Sequence, residues 1–154
     1  MPTAEPYILF ELAGTPYAVP SSVVQRMEMI EHVTPVPNAP SYVDGLVFSR
    51  GRVVPAVNLR RRFGFAAADY GPKTRLIVVS AGDRTVGLIV DSAREFVTIT
   101  TDSIQPPPEG LAGTSGNYLS GIATVDNRVI LILDVAEVLN HGSNLPNATE
   151  APQA

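Results

Sequence analysis

The sequence predicts an all-β fold made of two similar small barrels. Three observations carry that prediction. Short apolar runs rich in Val, Ile and Leu recur about every ten residues, the rhythm of barrels and sandwiches. Turn signals separate them at Ala13-Gly14-Thr15, Ser49-Arg50-Gly51, Ala81-Gly82-Asp83 and Asp126-Asn127. Residues 42–64 also lie over residues 118–140 without a gap.

Taken in order, strands are expected over residues 7–11 and 17–19, and over 23–33 as one long bent strand. Further strands are expected over 42–48, 53–57, 76–79, 86–90, 96–99, 118–125 and 129–133. Two short helices complete the list. Asp134 with Glu137 reads as a capping box opening a C-terminal helix over 135–140, with Gly142 as its stop. Asn58 opens a similar turn over 59–63 that ends at Gly64. Residues 1–6 are expected to be a flexible N-terminus, 7–142 one folded domain and 143–154 a disordered tail.

In the near-repeat, Tyr42 meets Tyr118, Gly45 meets Gly121, Arg52 meets Arg128, Asn58 meets Asp134 and Phe63 meets Leu139. A weaker echo lays residues 8–14 over 76–82. Together they point to a duplication with an approximate two-fold axis. Each half has too little core to be stable alone, so the interface between the halves should be apolar and permanent.

Composition narrows the function. The 154 residues carry net charge −4, which argues against a protein that lives on phosphate contacts. There is no cysteine, which excludes disulfides, thiolate metal sites and cysteine nucleophiles and suits a reducing cytoplasm. The start of the chain lacks a basic region and an apolar core, so no signal peptide is expected. Hydrophobic residues reach 45% and charged residues only 17%, so apolar area must remain exposed for partners.

Catalytic signals are missing. His32 and His141 lie far apart, each without a neighbouring ligand-type pair, and neither metal nor cofactor is expected. Neither a Gly-x-Ser-x-Gly elbow nor a phosphate-binding glycine loop occurs. Asp91, Asp102 and Asp126 read as solvated turn carboxylates. The run Arg60-Arg61-Arg62, with Arg50 and Arg52 nearby, raises a nucleic-acid-binding barrel as a rival. Yet no aromatic platforms are interleaved with these arginines, and a solvated helix face is the expectation.

The segment from Gly45 through the Arg50-Gly51 turn and Pro55 to Asn58-Leu59 resembles the hallmark of CheW-like domains. The resemblance continues through Gly87-Leu88-Ile89-Val90-Asp91 and Tyr118-Leu119-Ser120-Gly121 to Asp134 and its helix, covering about residues 7–141. It implies two intertwined five-stranded SH3-like barrels related by a pseudo-two-fold. It further implies a non-catalytic, cytoplasmic adaptor, associated with membrane receptor arrays but not inserted in the membrane. Such an adaptor couples the helical-hairpin tip of chemoreceptors to the regulatory domain of a CheA-type histidine kinase. Kinase and coupling protein join through barrel ends into rings, and the receptor lies in a groove between barrels. With no kinase segments before the domain, the expectation is the free-standing adaptor.

By the same resemblance, Arg50 and Gly51 match the family's functional turn, and Val24, Gln25 and Arg26 the strand nearing receptor and kinase. Leu76, Val86 and Gly87 match positions sensitive for coupling. Val24 reads equally as core, and Gly87 equally as a strand kink. Two departures stand out. Arg26 occupies a commonly acidic position, and Ser49 replaces an apolar residue. A reversed charge at a contact changes partner choice, so a specialised pathway such as one for surface motility is the alternative expectation.

Overall fold

The computed structural model describes residues 3–66, 68–107 and 118–140. The described strands are β1 (Ala4–Leu12), β2 (Thr15–Pro20), β3 (Val24–Met29), β4 (Val43–Ser49), β5 (Arg52–Asn58), β6 (Arg75–Ala81) and β7 (Arg84–Val90). There follow β8 (Ser92–Thr100), β9 (Ile104–Gln105), β10 (Leu119–Val125) and β11 (Arg128–Leu133). Helix α1 (Leu59–Arg62) follows β5, and α2 (Val135–Asn140) follows β11.

These strands form two sheets, ordered β8-β1-β2-β11-β10-β9 and β3-β6-β7-β5-β4. The halves interlock through the chain path. The first hairpin, β1–β2, joins the last, β10–β11, through a parallel β2–β11 pair, while everything from β3 to β7 builds the second sheet.

Both sheets close. β8 and β9 lie on opposite edges of the first sheet, yet only the 3₁₀ turn Thr101–Ser103 separates them in sequence. That sheet must therefore curl into a barrel, with β8 and β9 as one interrupted closing strand. In the second sheet Thr34, just beyond β3, exchanges both backbone hydrogen bonds with Leu46 on the far edge strand β4, at 2.9 and 2.8 Å. Closure removes the open edges that invite unwanted strand pairing.

The uninterrupted apolar runs now have a reason. In β1, Tyr7 and Leu9 point into the first barrel, while Ile8, Phe10 and Leu12 point at the second. In β6, Leu76 and Val78 fill the second barrel and Ile77 and Val79 face the first. Strands buried on both faces lose the polar alternation of a half-exposed strand. Between the barrels lies the largest cluster, in which Phe63 stacks on Tyr118 at 5.0 Å between ring centroids.

The duplication extends to backbone detail. Irregular register falls between Val43 and Gly45 in β4, and between Leu119 and Gly121 in β10. The amide of Asn58 donates to the Tyr42 carbonyl, and that of Asp134 to the Tyr118 carbonyl, both at 2.7 Å. Each side chain then caps its helix: Asn58 Oδ1 accepts from the Arg61 amide and Asp134 Oδ1 from the Glu137 amide, both at 3.2 Å. The weaker echo holds one residue further on. Leu12 faces Thr15 across the first hairpin as Ala81 faces Arg84 across the other, so Ala13 corresponds to Gly82.

Several expectations change. The long strand over 23–33 is instead a 3₁₀ turn (Ser21–Val23) followed by β3, after which the chain leaves β6 and reaches Thr34 to close the barrel. Residues 4–6, expected to be flexible, belong to β1, where Ala4, Glu5 and Pro6 pair with Thr100, Ile99 and Thr98. The capping box is one-sided, because the Asp134 amide is taken by Tyr118. β9 was not anticipated; two residues carry no periodicity. His141, Gly142 and the tail 143–154 lie outside the described residues.

Candidate functional site

Two of the three consecutive arginines, Arg60 and Arg62, are engaged internally, which corrects the reading of a solvated helix face for them, while Arg61 stays exposed. Arg60 forms a fork with Asp91, Nε to Oδ1 at 2.7 Å and Nη2 to Oδ2 at 2.8 Å. Arg61 approaches Asp44 at 3.6 Å. Arg62 is buried at 8% exposure, with Nε donating to the Val138 carbonyl at 2.9 Å. Its guanidinium lies 4.5 and 4.9 Å from the ring centres of Tyr42 and Tyr118, the pair matched by the duplication. Successive helical residues project in different directions, so one turn reaches three separate partners. With Arg60 and Arg62 so engaged, the cluster is no open phosphate-binding face.

Asp91 is likewise more than a solvated turn carboxylate. Its Oδ2 also accepts from the Ala13 amide at 2.8 Å, tying the β1–β2 turn to α1 and the end of β7. Burial alone would raise its pKa. The Arg60 hydrogen bonds, the Ala13 N–H and the Arg60 charge outweigh burial and hold it below the ordinary value. A carboxylate lowered by folding stabilises above its unfolded pKa of about 3.9, and loses that contribution as pH falls through the lowered value. Asp91→Asn should therefore be less stable than the parent at pH 7, with the gap closing in strong acid. Urea unfolding across this pH range is the check, and a gap independent of pH would reject the electrostatic role.

The surface predicted to bind partners centres on the β4–β5 turn. Arg50 and Gly51 both have positive φ, 53° and 81°, the pattern of a two-residue hairpin turn matched to strand twist. Glycine takes this conformation freely. Arg50 holds it at a cost of about 1–2 kcal/mol, the kind of local strain found at functional turns. Its exposed guanidinium makes no hydrogen bond to a described residue. A shallow groove of about 690 Å³ runs beside the turn, lined by Glu28, Met29, Glu31, His32, Phe48 and Arg50 among others. Phe48 is 73% exposed and Met29 65%, a large apolar area to leave in water.

The candidate residues fall into two groups. Of Val24, Gln25 and Arg26 on β3, Arg26 reaches across the barrel seam to the residue before the Arg50-Gly51 turn, its Nη2 donating to Ser49 Oγ at 2.6 Å. Gln25 Nε2 donates to Ser80 Oγ at 2.7 Å, and Val24 packs against the core between the barrels. Leu76, Val86 and Gly87 are interior, Leu76 inside the second barrel and Val86 in the cluster between the barrels. Leu76 and Val86 have no exposed area, and a Cβ on Gly87 would lie 2.6 Å from Leu76 Cδ1. The glycine is the space that Leu76 fills, so none of the three presents a side chain at the surface. Sequence reasoning missed Phe48, Met29 and Glu28. The Gln25-Arg26-Met27-Glu28-Met29 alternation, which turns both methionines outward, was the available signal.

His32 shares the groove with Glu28 and Glu31, but the groove is open and Glu28 is engaged by Arg26 and Ser49. Among the described residues no three His, Cys, Asp or Glu side chains are grouped to hold a metal. No described helix is long and apolar enough to cross a membrane.

Fold and surface together define a double-barrel module with exposed apolar residues and an exposed guanidinium gathered at one turn. Comparison with known proteins gives the family. The CheW-like domain model matches residues 6–143. Chemotaxis protein CheW of Bacillus subtilis is 31% identical over 142 residues, covering 92% of this chain and 91% of that protein. Protein FrzA of Myxococcus xanthus is 29% identical over 135 residues, covering 86% and 84%. The crystal structure of scaffolding protein TtCheW from Thermoanaerobacter tengcongensis superposes with a TM-score of 0.86 at 27% identity, covering 96% of this chain and 99% of that one. The chain belongs to the CheW-like domain family.

Proposed function

We propose that this protein is a non-catalytic coupling adaptor joining chemoreceptors to a CheA-type histidine kinase, in the cytoplasm against a membrane receptor array. Family membership supports the chemotaxis scaffold role. The observation that supports the binding reading is the exposed Phe48 beside the exposed Arg50 guanidinium on a strained two-residue turn. An apolar anchor next to an arginine is the composition of an interaction hot spot. The proposed contact residues are Arg50, Gly51 and Gln25, with Phe48 and Met29 beside them. Val24, Leu76, Val86 and Gly87 serve packing and not contact.

The mechanism needs no covalent step. Holding a kinase domain and a receptor tip on one rigid body raises the effective concentration of each for the other. A shift in the geometry of one contact then changes the free energy of the other. Arg50→Ala should weaken binding to at least one partner about 5–30-fold, the loss of a single arginine anchor. Titration calorimetry with the kinase regulatory domain and the receptor hairpin measures it. Unchanged affinity for both would reject the anchor role.

A further inference from the structure

Arg26 and Ser49, the two departures from the family pattern, lie in one hydrogen-bonded cluster with Glu28. Arg26 Nε donates to Glu28 Oε2 at 2.7 Å and to Ser49 Oγ at 3.0 Å, and Nη2 donates to Ser49 Oγ at 2.6 Å. Ser49 Oγ in turn donates to Glu28 Oε2 at 2.7 Å. Arg26 Nη2 also reaches the Ser49 carbonyl at 3.3 Å, the last one before the turn. Ser49 is 3% exposed, so its hydroxyl needs these partners.

The identities depend on one another. An apolar residue at 49 would leave the Arg26 fork without its central acceptor. An acid at 26 would stand on the same strand face as Glu28, two residues away, where like charges repel. The Arg26 charge is thus answered inside the barrel seam. Burial pushes the Glu28 carboxyl up, but the Ser49 and Arg26 hydrogen bonds and the charges of Arg26 and Arg50 bring it below the ordinary value. The pair stays ionised at neutral pH.

We infer that Arg26 is a positioning residue which, with Glu28 and Ser49, fixes the Arg50-Gly51 turn as one specificity unit, and does not present a reversed charge to the partner. The partner meets a locally neutral seam. The charge it must answer is that of Arg50, so its complementary side chain is a carboxylate, flanked by apolar residues for Phe48 and Met29. The partner half of this inference rests on the adaptor reading above; the positioning half stands on the free protein.

The test is a charge swap. Arg26→Glu, Glu28→Arg and the double variant are compared with the parent in two measurements. One is calorimetry with the receptor hairpin and the kinase regulatory domain. The other is amide hydrogen exchange at Arg50, Gly51 and Arg52 in the free protein. Each single variant should speed exchange and weaken binding about tenfold, and the double should restore both to within about threefold, the signature of an internal pair. Exchange unmoved by Arg26→Glu would overturn positioning. Exchange restored by the swap without affinity would overturn the inference the other way, because Arg26 then contacts the partner directly. A parent that binds neither partner while exchange follows the prediction rejects the adaptor reading and upholds the positioning role.

Discussion

Gly45→Ala is expected to cost about 3–4 kcal/mol of stability, the sum of overpacking and a backbone region almost reserved for glycine. Gly45 sits at φ 151°, and a Cβ there would overlap the Thr34 carbonyl and meet Val33 Cγ1 at 2.9 Å. The obstacle is backbone on the seam that closes the second barrel, so no side-chain rotation relieves it. Urea unfolding should show a lower midpoint, and exchange at the Thr34 and Leu46 amides should accelerate first. The duplicate position offers the control. A Cβ on Gly121 would lie 2.7 Å from Ile104 Cγ2, which can turn away, and 3.1 Å from the Gln105 carbonyl. Gly121→Ala should cost less. Equal costs would show that the Thr34–Leu46 bridge is not what Gly45 protects.

Arg62→Ala should lose about 2–3 kcal/mol, from two cation–π faces, the Val138 hydrogen bond and the volume of a buried side chain. The figure is tempered by what Arg62 already costs, since its Nη2 is buried without a hydrogen-bond partner among the described residues. Its position explains the effect. Arg62 belongs to the helix after β5, yet it bonds the helix after β11 and lies between one tyrosine from each repeat. Arg84 supports the same helix by donating to the Leu139 carbonyl at 3.1 Å. Arg62→Lys keeps the charge but loses the flat group between the rings, and should fall between the parent and alanine. A lysine variant as stable as the parent would remove the ring contacts from this account.

What was legible in the sequence follows from where the determinants lie. The repeat of 42–64 at 118–140 was readable because its matched residues do specific jobs: a bulge glycine, a tyrosine ring against Arg62 and a helix cap. Such jobs constrain identity. The weaker echo was misplaced by one residue because its turns differ. Ala13 and Gly14 both have positive φ, whereas in the other turn Gly82 does and Asp83 does not. The assignment of strands to barrels was not legible. It depends on the parallel pairs β2–β11 and β5–β7, whose partners are remote in sequence and, Asn58 apart, almost uniformly apolar.

The arginine run was misread for a similar reason. Asp44, Asp91 and Val138 are distant in sequence, and nothing in Arg60-Arg61-Arg62 distinguishes a paired guanidinium from a solvated one. At the candidate site, the turn itself was found through family resemblance. Phe48 escaped notice because an apolar residue in an apolar strand reads as core until the pleat places it outside. Arg26 was seen as a lone reversed charge. Glu28 lies two residues on along the same strand face, but only the closed seam, which lays β3 beside the end of β4, reveals the second partner, Ser49.

One calorimetric titration examines the central claim most directly: the unmodified protein against the kinase regulatory domain and the receptor hairpin from its own cell, singly and then together. Saturable one-to-one binding to each, with the second partner still binding the preformed complex of the first, is the outcome expected of an adaptor. Absence of binding to either partner, or mutual exclusion of the two, would contradict it.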